Sequence, residues 1–379
     1  MTDTPADLLF GVGVAAHLDC DRVLALRPFH PTGHAGFQLQ VRVDDGVVVS
    51  ADPRMGLMHR GAEKLFEARD YRQLMMLANR HDWLSAFSSE LAVALTLEDA
   101  TGITPPERAT WTRTLLAEAN RVAASLAFLG SVIRDTAHRD VALGARERLV
   151  AAQEYVTGGR VHPMFARIGG VATPLDAVSL DRYTAIVADL GSAHALIEDA
   201  VLDYSTGLAG LATLSRPSAI AFGTSGVVAR AGGLDIDLRR DDAYLAYGEL
   251  TDELSVPLRT TGDATARYAL LLEQVPTSLR LMSACIDRLR SLGDGPVNVL
   301  LPKTVRVPEG VTHGWIEGPL GVTGCLLASV GEKTPWRLKI RSASFANAQA
   351  LTTALVGTRV DDLADAVMSF FFVVGDVDR

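Results

Sequence analysis

A chain of 379 residues, 48% hydrophobic and 21% charged, is long enough to bury a large core and to divide into two or three sub-structures. Its formal net charge of −9 leaves no basic footprint, which argues against nucleic acid as a partner. The three cysteines, Cys20, Cys285 and Cys325, are far apart with no C-x-x-C, which argues against a disulfide framework and against a zinc or iron–sulfur site built from this chain alone.

The opening MTDTPADLLFGVG has acidic residues and no basic region, unlike a signal peptide. No apolar stretch reaches the ~20 residues that a spanning helix needs. An intracellular chain, soluble or peripheral, is the expectation. FQLQVRVDDGVVV, residues 37–49, alternates apolar and polar residues about a D-D-G turn and predicts a β-hairpin. From about Tyr71 to Ala100 the spacing of Leu74, Leu77, Leu84, Phe87, Leu91 and Leu95 predicts a helix. A second helix is predicted from about Ala109 to Arg134, a third over 140–156 ending at TGGR, and a fourth over 176–206. Residues 207–262 are Gly-rich and read as loops. A helix over about 263–292 contains Pro276, where a kink is expected. CLLASV and WRLKI, within 314–341, read as an antiparallel pair, and a last helical region begins near Asn347. The fold class is α+β: a bundle of long helices with small antiparallel sheets near both ends of the chain. The expected segments are 1–55, 56–295 and 296–379.

The final MSFFFVVGDVDR is unusual. Phe370 to Val374 call for burial, and Asp376, Asp378 and Arg379 follow at once. Charges drawn inward need partners, and basic and acidic residues of neighbouring helices are the expected ones.

Four polar clusters do not fit a plain bundle. RPFHPTGHAG carries His30 and His34, which spacing alone reads as turn histidines. HRGAEKLFEARDYRQLMMLANRHDW carries His59, Arg60, Arg80, His81 and Asp82; a solvated helix face explains its first half better than NRHDW. Arg113, Glu118 and Arg121 are spaced for pairing along one helix, and Asp135 follows in VIRDTAHRD. YVTGGRVHPMFARIGGV carries Arg160, His162 and Arg167.

Taken singly these motifs are weak. In order, RPFHPTGHAG, HRGAEK, RHDW, TGGRVHPMFARIGGV, RAGGLDIDLRRD, SFANAQAL and GDVDR resemble the D subunit of the proton-pumping NADH–quinone oxidoreductase, respiratory complex I, from about Pro28 to Arg379. That family is related to the large subunit of nickel–iron hydrogenases. In those enzymes C-x-x-C pairs near each end of the chain hold the metal, and thiolates are what such a site requires. Here RHDW and FFFVVGDVDR stand in their places without a cysteine, so no metal is expected in this chain.

The resemblance implies a hydrogenase-large-subunit-like fold and a quinone headgroup site shared with the iron–sulfur B subunit, whose 4Fe–4S cluster reduces the quinone. It implies NADH as the donor to the complex and no cofactor bound by this chain. Partners would be the B, C and I subunits and the membrane-embedded A and H subunits, on the cytoplasmic face of a bacterial plasma membrane. His34 would bond a quinone carbonyl, with Asp135 pairing to His34 and tuning it. His59 and Trp83 would line the quinone site, and Arg80 and His162 would lie near the partner cluster, raising its potential. The sequence departs from the family pattern in several places. Trp83 replaces a tyrosine, so a group that donates and accepts becomes a donor only. Leu320–Val322 reads LGV in place of R-G-E, and an aspartate usual before the end is replaced by the apolar run. A divergent paralogue fits these losses. The alternative is a scaffold subunit of a reduced assembly that has lost quinone chemistry.

Overall fold

The computed structural model describes residues 5–13 and 19–379; Met1–Thr4 of the opening segment lie outside them. The N-terminal sheet has four strands, β1 (Ala6–Val12), β2 (Arg22–Leu24), β3 (Phe37–Asp44) and β4 (Val47–Arg54), in the order β2-β1-β3-β4. Only the β1–β2 pairing is parallel. β3 and β4 are the predicted hairpin. Its two turn residues, Asp45 and Gly46, take φ of 46° and 72°, the left-handed values that let a two-residue turn follow the strand twist. Phe37, Leu39 and Val41 share the buried face.

The bundle is made by α1 (Ala86–Thr101), α2 (Glu107–Val132), α3 (Thr136–Thr157) and α4 (Ala177–Ser205), with a two-stranded ladder, β5 (Ala166–Arg167) and β6 (Gly170–Val171), between the last two. α5 (Ala264–Leu292) completes it, with Pro276 inside a continuous helix. α2 is the centre and packs on α3, α4 and α5. It is long and apolar enough to cross a membrane, but 94% of its apolar stretch is buried within the fold, so it is a core helix. Asp176 and Asp263 start α4 and α5 by accepting the N–H groups of Ser179 and Ala266, which satisfies donors a helix start leaves open. The C-terminal sheet runs β7 (Gly310–Gly318), β8 (Gly321–Ser329), β9 (Arg337–Arg341), all antiparallel, and α6 (Ala343–Ala354) follows.

The α+β class with small sheets flanking long helices is as expected, and three local readings are corrected. The helix predicted from Tyr71 to Ala100 is broken: Leu74–Ala78 is a short helix, Asn79 to Ser85 is irregular, and α1 starts afterwards. The Gly-rich stretch 207–262 holds short helices, among them Arg216–Phe222 and Gly226–Ala231. The C-terminal pair has a third strand, β7, whose Gly-rich sequence hides it.

Two apolar clusters result. One holds the bundle and the C-terminal sheet; the other joins the N-terminal sheet to α6 and the last helical turns. Phe370 to Val374 are buried as expected and supply both clusters.

Candidate functional site

The break before α1 has a local cause. Asp82 accepts the N–H of Leu84 at 3.1 Å and of Ser85 at 3.0 Å, a side-chain turn that competes with helix. Trp83 therefore leaves the helical path and stands half-buried at the head of the bundle. Asp82 itself is buried, and both that burial and the nearby Asp376 carboxylate push its pKa well above the usual carboxylate range. His81 is buried too. Neither of its ring nitrogens has a partner, and desolvation lowers its pKa to about 4.

The GDVDR segment closes onto this loop. Gly375 lies so close to Trp83 that a Cβ there would overlap the indole ring and the His81 carbonyl. The expected charge partners are corrected in part. Asp376 accepts the Ser342 hydroxyl at 2.6 Å. Asp378 accepts two backbone N–H groups, from Gly56 at 2.7 Å and Met58 at 2.8 Å. Only Arg379 faces an opposite charge, Glu63 at 3.7 Å, and it also donates to the Ile340 carbonyl at 2.7 Å. His59 is exposed on the loop that carries Gly56 and Met58, and its Nδ1 donates to the main-chain oxygen of Arg379 at 2.7 Å.

Arg80 and His162 are brought together. His162 Nδ1 donates to the Asn79 carbonyl at 2.8 Å, and Arg60 donates to the Arg80 carbonyl at 2.8 Å. Burial and the Arg80 charge lower the His162 pKa. Beneath them is Glu90, on α1, which the sequence motifs do not include. It accepts Asn79 Nδ2 at 2.9 Å and the N–H groups of Phe165 and Ala166 at 2.8 and 2.9 Å. It thus ties the Asn79 loop to the His162 loop, and burial raises its pKa to about 7. A glutamate amid FSSELAVAL is the signal that could have found it.

The expected His34–Asp135 pair is not formed. His34 is exposed at the end of a single helical turn, Pro31–His34. Asp135 is the N-cap of α3, accepting the His138 N–H at 2.9 Å and meeting His138 Nδ1 at 2.6 Å. The D-T-A-H spacing that places a cap three residues before its donor decides the contact. The buried histidine of this segment is His30, edge-on to Phe128 with centroids 5.4 Å apart, and desolvation first, then the neighbouring His34, lowers its pKa to about 3. Thr32 ties the turn to the C-terminal segment by donating to the Phe372 carbonyl at 2.7 Å.

The structural pairing expected on α2 is present and larger than expected. Glu118 and Arg121 pair at 3.3 Å and join Arg239, Asp237, Arg230 and Glu317 in a buried network, with Tyr247 and Ser278 donating to Glu118 at 2.5 and 2.6 Å. Arg113 pairs elsewhere, with Glu98 at 2.7 Å. Among the described residues no group of three or more His, Cys, Asp and Glu side chains is placed to hold a metal ion. Cys285 and Cys325 are buried thiols, their pKa values pushed up by desolvation.

Residues 136–379 match the family model described as respiratory-chain NADH dehydrogenase, 49 kDa subunit. The chain is 50% identical over 388 residues to the NADH-quinone oxidoreductase D subunit numbered 2 of Streptomyces griseus subsp. griseus, covering 100% of this chain and 96% of the relative. It is 50% identical over 385 residues to the D subunit numbered 1 of Streptomyces coelicolor, covering 100% of both. The D subunit of the Geobacillus thermodenitrificans enzyme is 32% identical over 364 residues, covering 94% of this chain and 98% of the relative.

Proposed function

The chain belongs to the family of the respiratory-chain NADH dehydrogenase 49 kDa subunit, and from that premise we propose that it forms the quinone headgroup site of an NADH–quinone oxidoreductase together with the iron–sulfur B subunit. The observation that carries this reading is the convergence of the loop His81–Trp83 on the segment Gly375–Arg379. These are the two places where hydrogenase large subunits carry metal-binding cysteines. Their contact supports a hydrogenase-like fold whose vacated pocket serves the quinone.

In this reading the partner's 4Fe–4S cluster supplies electrons that enter the complex from NADH. Arg80 and His162 present positive and hydrogen-bonding groups toward that cluster, while Trp83 and His59 wall the quinone and His34 bonds one of its carbonyls. Exposure of His34 and Arg80 supports a role completed by a partner surface. The C and I subunits and the membrane-embedded A and H subunits are the further proposed partners, with attachment at the cytoplasmic face of the membrane through them. The numbered names of the Streptomyces relatives support a paralogue. The segments 1–55, 56–295 and 296–379 would then be pieces of one body.

One observation favours the alternative of a scaffold without quinone chemistry: Asp135 is bonded to His138 rather than to His34. The deciding experiment is His34→Ala in the assembled complex. Quinone reduction should collapse while electron transfer to an artificial acceptor upstream survives. Near-full quinone reduction in the variant would leave the scaffold reading standing.

A further inference from the structure

We propose that the outer edge of β7, from Val311 to Trp315, is a docking site for an extended segment of another subunit, which joins the C-terminal sheet as a fourth strand. This surface is separate from the quinone site and does not depend on it.

The register decides which main-chain groups are free. β7 is an edge strand in the order β7-β8-β9, and Gly318 pairs with Gly321 across a two-residue turn. The closing pair of such a turn bonds across the ladder, so every second residue back from Gly318 faces β8, while Glu317, Trp315, His313 and Val311 face outward. At Glu317 the outer side is closed: the Tyr244 hydroxyl accepts its N–H at 3.1 Å, and Arg121 donates to its carbonyl at 2.6 Å. The other three differ. Val311, His313 and Trp315 are exposed, and among the described residues nothing bonds their main-chain N–H or C=O groups on that side. Six groups of a strand thus lie open in a row.

Comparable edges are closed by the chain itself. On β9, Glu63 accepts the Ile340 N–H at 3.0 Å and Arg379 donates to the Ile340 carbonyl at 2.7 Å. On β4, the Thr358 carbonyl accepts the Val48 N–H at 2.9 Å and Gly357 donates to the Val48 carbonyl at 2.8 Å. Edges left in water are commonly guarded by proline, lysine or a bulge. GVTHGW has none of these, and it exposes Val311 and Trp315. The same face runs into a cavity of about 340 Å³ walled by His313, Trp315, Leu234 and Ile236, an apolar seat for a side chain of the added strand.

Charge selects the occupant. Asp242 stands at one end of the open stretch, accepting the Trp315 Nε1–H at 2.5 Å, and Glu309 is exposed at the other. Arg240 is held by Asp235 and Asp241, and Arg306 by Glu332. Lys333 lies in the turn between β8 and β9, on the far side of β8. Two copies laid antiparallel about His313 would set Glu309 of each toward Asp242 of the other, acid against acid. The occupant that fits is a strand with apolar residues at alternate positions and Lys or Arg at both ends. In such docking main-chain bonds supply affinity and alternate side chains supply choice.

The test compares the full-length chain alone with the assembled complex by amide hydrogen exchange read residue by residue. The Val311, His313 and Trp315 amides should exchange roughly a hundredfold more slowly in the complex, while Thr312, Gly314 and Ile316 are slow in both. A benzophenone side chain placed at position 311 should cross-link, in the complex, to one peptide with that alternation and those basic ends. His313→Pro removes an N–H that β8 does not use, a change an edge strand tolerates. The chain alone should keep its melting temperature, and in the complex the Val311 and Trp315 amides should lose their protection. Val311→Lys, a like charge beside the basic ends, should act in the same way and serves where proline disturbs the fold. The proposal is overturned if the three amides exchange equally fast in chain and complex, or if both variants are protected like the wild type. It is equally overturned if the cross-link joins two copies of this chain or reaches lipid.

Discussion

The indole of Trp83 and the backbone of Gly375 touch so closely that no side chain, not even a methyl group, has room between them. That contact joins a loop near the first quarter of the chain to its last five residues, and it sets where the Trp83 ring can stand.

Gly375→Ala should therefore move Trp83 or the chain segment carrying Gly375. The His81 carbonyl on the other side is backbone and cannot swing away. Overpacking of this sort costs about 1–3 kcal/mol. The expected result is a lowered melting temperature, with KM for quinone raised more than kcat is lowered. An unchanged melting temperature and KM would show that the contact carries no weight.

His34 and Trp83 should respond differently to substitution. In the proposed site, a bond from His34 to a quinone oxygen would strengthen as negative charge develops there, so its loss should cost about 2.7–4 kcal/mol, roughly a hundred- to a thousand-fold in rate. Trp83 offers an apolar face and one donor. Trp83→Tyr should be tolerated or raise turnover, because a hydroxyl both donates and accepts. A severe loss of turnover in Trp83→Tyr would mean that the indole is needed for itself.

Asp135 acts as a helix cap in this structure, and substitutions should report that role. Asn is as good an N-cap as Asp, so Asp135→Asn should leave quinone reduction near the wild-type level. Asp135→Ala should cost about 1 kcal/mol of stability. Unfolding and steady-state assays on the two variants check this. A loss of turnover in Asp135→Asn without loss of stability would show that the charge acts on His34 after all.

Glu90 gives a pH signature. Its carboxyl ordinarily titrates at 4.5 and is raised to about 7 in the fold, chiefly by burial. The folded state thus binds the extra proton, so this contribution to stability is fully present below pH 4.5 and is lost as pH rises through 7. The difference is on the order of 3 kcal/mol. Glu90→Gln can keep the N–H groups of Phe165 and Ala166, and its new N–H faces the Asn79 amide, which by turning over presents its Oδ1, now without a partner, in place of Nδ2. Denaturant unfolding from about pH 4.5 to about pH 8 should show the variant gaining on the wild type as pH rises. A gap that stays constant with pH would mean that Glu90 titrates as it does in water.

Some of this is clear from sequence. The D-D-G turn specifies the β3–β4 hairpin because its chemistry is local, and the apolar run at Phe370–Val374 announces its own burial. β1 and β2 escape notice because their pairing partners are distant in the chain and ADLLFGV does not alternate. The apolar spacing on either side of Asp82 runs on as if no break existed, and the short helix already ends at Asn79, before the Asp82 side chain makes its turn ahead of α1. At the site, His81, Trp83 and the GDVDR segment are legible as a group through the family pattern. Their actual partners are not, because Asp376 and Asp378 are satisfied by a hydroxyl and by backbone N–H groups, which any sequence could offer. The expected His34–Asp135 pair fails for the opposite reason: a local signal, the cap on α3, is present in the sequence and commits Asp135 to His138.

Three consecutive phenylalanines divide between the two apolar clusters. Phe371 packs edge-on against Phe128 and Tyr268 in the bundle, while Phe370 and Phe372 belong to the cluster under the N-terminal sheet, where Phe372 meets Phe37. One short stretch of backbone is thus a party wall with a ring driven into each room. Neither side can melt without pulling that stretch out of the other. Among the described residues this stretch couples the two cores, and the heat-capacity trace should show one peak where two separate cores would give two.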